Sequence, residues 1–152
     1  LLMILYWINY QKIFRQITKE VKINKFTIFG VASSLFLFFH VFFLGTSIDS
    51  EIFSKVRKLI LLLFILCEVT AQFLLTRRLY LSLNSINNLI FKNILNLKII
   101  FVSSILVGSF IILSILAIYN LDSKVDYILE WNYFLFLLVF YFLSSIMWKK
   151  QY

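Results

Sequence analysis

The sequence predicts an all-α fold: a polytopic transmembrane helical bundle with four full spans, together with what reads as the end of a truncated span at its N-terminus. Three observations predict it. Hydrophobic residues make up 62% of the 152 residues and charged residues only 14%, against about 45–50% and about 25% in a soluble domain. Mean hydropathy is +0.94, and a soluble fold of this length has too little interior to hide so much apolar surface. Proline is absent and glycine numbers 3, so little punctuates the chain and long helices are expected. Soluble enzymes, disordered tails and secreted disulfide modules are excluded. The single cysteine closes no internal disulfide. The length allows one domain, 1–152.

Each span is read from charge-poor runs near the roughly 20 residues that a helix needs to cross hydrocarbon. Lys25 and Asp49 bracket the first, placed near 27–46. Lys58 and Arg77 bracket the second, near 58–78, interrupted only by Glu68. Lys98 and Asp122 bracket the third, near 98–120, and Glu130 and Lys149 the fourth, near 129–148. The runs are continuous and lack the period of two that a membrane β-barrel shows. Before them, LLMILYWI (1–8) is apolar but too short to cross, and it lacks the basic start and cleavage site of a secretory signal. It reads as the end of a truncated span, or else as the start of an interfacial helix. QKIFRQITKEVKINKF comes next as an amphipathic surface segment, with Ile13, Ile17 and Val21 repeating every four residues. The asparagine-rich YLSLNSINNLIFKNILNL reads as a wet connector, partly helical at the interface.

The net charge of +8 is explained by topology. Basic-rich and acid-bearing connections alternate along the chain. Segments 9–25, 77–98 and 149–152 are basic, with Glu20 their one acid, whereas the loops near 46–57 and 120–130 mix Asp49, Glu51, Asp122, Asp126 and Glu130 with Lys55, Arg57 and Lys124. The positive-inside rule then makes the protein integral to a membrane, with the basic segments and the C-terminus cytoplasmic, or on the matrix side in an organelle. Membrane lipids are the expected partners, with neighbouring helices or a larger membrane complex as further ones. No basic stretch carries the aromatic platform of a nucleic-acid binder.

Ionisable residues within spans are costly and therefore mark candidate sites. Glu68 lies near mid-span, Gln72 repeats on the same face at i+4, and Thr76 continues the stripe. His40, on the preceding span, lies at a similar expected depth. A His40–Glu68 contact would either handle protons or headgroups, or simply join two helices. The outward acids Asp49, Glu51, Asp126 and Glu130, with Trp131, form a candidate rim for a cation, a sugar headgroup or an amine, or an ordinary acidic outer loop. Serines and glycines within the spans, including Gly30, Ser33, Ser34, Gly108 and Ser144, suit close helix packing. One His, one Cys and scattered acids give no metal spacing. No cofactor is implied: one histidine excludes bis-histidine haem, and there is no phosphate-binding glycine loop.

The order of short motifs carries a resemblance. LYWINYQ pairs Tyr6 and Trp7 before a polar segment, GTSIDSE holds Asp49 and Glu51, AQFLLTRRLY closes a span, and LEWNYFLFLLVFYFLSSIMW opens on Glu130 and Trp131 and closes on a tryptophan. In this order the chain resembles the last four and a half spans of the six-span family of integral membrane proteins that includes DRAM, Sfk-type proteins and the factor that remodels the lipid of GPI anchors. The resemblance implies a lipid-remodelling or membrane-organising role. Gln72 stands where the remodelling factor has a histidine, and the last span lacks that factor's other histidine, so a lipid context is implied and no reaction. Two further functions fit the residues. One is a small accessory subunit of an energy-transducing membrane complex, organellar in view of the Phe, Ile, Asn and Lys richness. The other is a small oligomeric transporter with His40 and Glu68 on its path.

Overall fold

A computed structural model describes residues 1–18, 22–44, 51–118 and 123–149, with some side chains inside these ranges left out. The described residues form six helices: α1 (Leu2–Thr18), α2 (Lys25–Leu44), α3 (Glu51–Leu81), α4 (Leu83–Ile86), α5 (Lys92–Ile118) and α6 (Ser123–Ile146). The fold is all-α. Within it, Lys25–Phe43, Lys55–Leu81 and Lys92–Ser109 are long and apolar enough to cross a membrane, and Trp131–Ile146 is a shorter apolar stretch. The chain divides into two compact units, Leu1–Leu75 and Thr76–Tyr152, with the division inside α3.

In the first unit α1 packs on α2. LLMILYWI is continuous with the amphipathic segment after it, because α1 runs unbroken to Thr18. The buried face of α1 is Trp7, Tyr10, Gln11 and Phe14, a spacing of three, one and three that keeps all four on one side of a helix. The expected stripe of Ile13 and Ile17 is only half-buried, and Val21 lies outside the described residues. The aromatic side chains take the contact with α2 instead: Phe26 lies 6.4 Å from Trp7 and 5.5 Å from Phe14, centroid to centroid.

The turn into α2 is tied by one amide. Gln11 Nε2 donates to the Lys22 carbonyl at 3.1 Å. Gln11 Oε1 accepts from the Asn24 backbone N–H at 3.0 Å, from Asn24 Nδ2 at 3.1 Å and from Thr27 Oγ1 at 2.8 Å. Asn24 in turn holds the N-cap of α2, its carbonyl accepting from the N–H groups of Thr27 and Ile28. Further along α2, Phe38 and Phe42 are 64% and 60% exposed, as expected of rings that face lipid and not water.

In the second unit α5 and α6 pack as an antiparallel pair. Leu95, Lys98 and Val102 are buried on α5, and Tyr133, Leu137, Phe140 and Ser144 on α6, with Met147 buried just past its end. Where α5 begins and α6 ends, Ile90 and Trp148 form an isolated antiparallel bridge. Phe91 N–H donates to the Met147 carbonyl at 2.9 Å and Lys149 N–H to the Leu89 carbonyl at 2.8 Å. The 77–98 connector is shorter than the sequence suggests: α3 continues to Leu81 and α5 starts at Lys92. Helices outrun the apolar runs because their backbone bonds are internal and need no apolar surroundings.

Gly30 is a point of close approach between α1 and α2. A methyl group there would overlap Cγ, Cδ2 and Cε2 of Trp7, whose side chain is completely buried. Gly30→Ala is therefore expected to destabilise the first unit by about 1–3 kcal/mol, measured by denaturant unfolding in detergent. Adding Trp7→Leu should recover part of that loss.

Candidate functional site

Among the described residues, two spans carry a buried charged side chain. On α3, Glu68 is fully buried and Gln72 nearly so. One turn separates them, and Gln72 Nε2 donates to Glu68 Oε1 at 3.1 Å. From α2, Ser33 Oγ donates to Glu68 Oε2 at 2.5 Å. The same hydroxyl is 2.8 Å from the Gly30 carbonyl, which also accepts from Ser34 Oγ at 2.8 Å. The single Ser33 proton thus sits between a carboxyl oxygen and a backbone carbonyl. The glycine that admits Trp7 on one side also presents its carbonyl to the serine that reaches Glu68.

Glu68 and Gln72 are together as the sequence suggests. α2 brings Ser33 to the carboxyl, a residue whose sequence context points to packing. His40 is buried at 4% exposure, and seven residues place it on the face of Ser33 two turns later, about 10 Å further along the helix. Thr76 is also buried. Cys67 is a half-buried free thiol. Among the outer-rim candidates, Asp49 lies outside the described residues, as do the side chains of Glu51, Asp126 and Glu130. Trp131 is 75% exposed. Among the described residues no three His, Cys, Asp or Glu side chains gather as metal ligands.

The second charge is Lys98, which in the sequence marks a span boundary. It is fully buried, because α5 starts six residues earlier and carries it almost two turns into the helix. Its ammonium donates to Ser144 Oγ at 2.6 Å and lies 4.1 Å from the centroid of the Phe140 ring. Ser144 Oγ–H donates to the Phe140 carbonyl at 2.8 Å, so the hydroxyl accepts from the cation with its lone pair. The ring face adds a cation–π attraction, worth about 2 kcal/mol where water is excluded. The sequence signal for this burial is helical spacing: Leu95, Lys98 and Val102 share one face.

No family model, curated protein or solved structure matches this chain. The two buried polar ties are therefore interpreted by their own chemistry. An ionisable group at membrane depth keeps its place only when other protein groups replace water around it. Glu68→Gln is expected to preserve folding, since the amide oxygen still accepts from Ser33 while its NH2 donates to the oxygen of a flipped Gln72 amide. Glu68→Leu and Ser33→Ala should each lower stability by about 0.6 kcal/mol, measured as a shift in the unfolding midpoint in detergent. Equal losses for Gln and Leu would show that an amide does not replace the carboxyl in these hydrogen bonds.

Proposed function

We propose that the chain is a multi-pass integral membrane protein that binds membrane lipid and organises or remodels it. The observation that supports this reading is a groove between α5 and α6. It encloses about 380 Å³ and is lined by Phe101, Ile105 and Phe136, with Ser104, Gly108 and Ser109 as small residues along α5. The volume lies within the roughly 300–1,000 Å³ of small-molecule sites. Gly108 opens onto empty space, since a methyl group built there meets nothing within 4 Å. Asn132 and Tyr133 supply the polar part of the lining. Apolar walls with an amide and a phenol suit an acyl chain that carries a polar group.

A second reading, an accessory subunit of a larger membrane complex, is favoured by Glu68. A carboxyl with no exposed surface inside the apolar helix Lys55–Leu81 suits proton handling better than lipid contact. Migration of the native protein with a large complex would favour this reading over the first.

Gly108→Phe should fill the groove and reduce the lipid immobilised against the protein, measured by electron spin resonance of spin-labelled lipid in reconstituted vesicles. An unchanged immobile fraction would show that the groove does not hold lipid.

The orientation belongs to the same proposal. The Ile90–Trp148 bridge supports a common side for the 77–98 connector and the C-terminus, and the lysines and arginines there favour the cytoplasmic or matrix side. In a Cys67→Ala background, Ser85→Cys and Ser123→Cys should react with an impermeant maleimide from opposite sides. Labelling of both from one side would refute the orientation.

A further inference from the structure

At the bridged end of the α5/α6 pair lies an open surface cavity of about 420 Å³. The polar residues among its lining are Lys92, Lys149, Asn87 and Asn93. Lys149 is far from the other three in sequence. The bridge joins them, because the Lys149 N–H is bonded to the Leu89 carbonyl. Lys149 Nζ also lies 5.5 Å from the centroid of the ring of Phe91, itself a lining residue. Among the described residues no carboxylate lines it, and residues 69–121 contain no Asp or Glu. An ammonium group only donates, and two of them beside two amides select an acceptor-rich anion.

We infer that this cavity binds a phosphate group, and that in the membrane its occupant is the phosphodiester of an anionic lipid. The cavity adjoins the start of the apolar helix Lys92–Ser109 and the end of Trp131–Ile146. That is the level at which headgroups lie when these helices cross hydrocarbon. Ile90, Phe91 and Ile94 complete the lining and match the apolar part of a lipid below its phosphate. Trp148 stands just past α6, at the position of an interfacial aromatic anchor. The site requires the membrane location only, and it stands independently of the acyl groove.

The test is native mass spectrometry of the purified full chain with phosphatidylglycerol, phosphatidylcholine or inorganic phosphate. The wild type should retain phosphatidylglycerol in preference to phosphatidylcholine. Lys92→Gln and Lys149→Gln should each reduce that preference about fivefold, and the pair about thirtyfold, from the attraction of a single basic residue to anionic lipid. Both side chains are exposed, so the variants should keep the helical circular dichroism of the wild type. Displacement of the lipid by inorganic phosphate would assign the site to a free phosphate; retention against it assigns the site to the lipid. An undiminished preference in the folded double variant, or an equal loss in Lys12→Gln/Arg15→Gln, would overturn the site. Reduced lipid immobilisation in Gly108→Phe with no effect of the lysine pair would leave the groove standing and remove this site, and the reverse result would do the opposite.

Discussion

Hydrocarbon offers a polar side chain no water, so every such group that enters it must be met by another part of the protein. Glu68 is met by Ser33 and Gln72, and Lys98 by Ser144 and the Phe140 ring. In both cases a long side chain on one helix is received by a serine on another. Serine suits this role because its hydroxyl can bond backward to its own helix while meeting a partner. Ser33 returns to Gly30 and Ser144 to Phe140, so the spans supply these hydroxyls without leaving them unsatisfied elsewhere.

Such ties contribute little stability, about 0.6 kcal/mol for an average intramembrane hydrogen bond. Their greater effect is on register. Sliding α2 by one turn along α3 would carry Ser33 about 5.4 Å away and leave a buried carboxyl facing apolar surface. Packing then holds what the polar groups specify. Gly30 lets the Trp7 ring lie against the α2 backbone, and Gln11 gathers three donors at the turn before α2. Register and close approach meet at Gly30, which serves Trp7 with its missing side chain and Ser33 with its carbonyl.

The helical class was legible because composition alone exceeds what a water-soluble interior can hold. The helices in these regions were legible too, but charges mark where an apolar run ends and not where a helix ends. Thus 58–78 lies within Glu51–Leu81 and 98–120 overlaps Lys92–Ile118. The same rule concealed Lys98. A lysine at the edge of an apolar run looks like a boundary until the face it shares with Leu95 and Val102 is considered. Glu68 and Gln72 were legible because their i,i+4 spacing is a property of one helix. Ser33 as a partner was not, since contacts between helices depend on side-chain sizes at the crossing. The Gln11 knot was hidden for a different reason: its partner groups come from main chain or from a capping turn, where sequence periodicity says nothing.

The bridged end of the second unit has a backbone cause. The last carbonyls of a helix have no partner within it, and the Met147 carbonyl, just past α6, is met by the Phe91 N–H. That bond satisfies the end of α6 and fixes the residue immediately before α5. The reciprocal bond from Lys149 to Leu89 then carries the chain past its last helical turn in a defined direction. Lys149 is consequently an anchored residue, and its distance from Phe91 results from that anchoring. Lys92 and Lys149 line one cavity, and like charges that share a cavity repel, with water screening them only in part at a membrane surface. With no acid between Glu68 and Asp122 to balance them along the chain, the phosphate proposed above would relieve the repulsion. The backbone pairing that closes the helix ends thereby also sets the charge arrangement that a phosphate would complete.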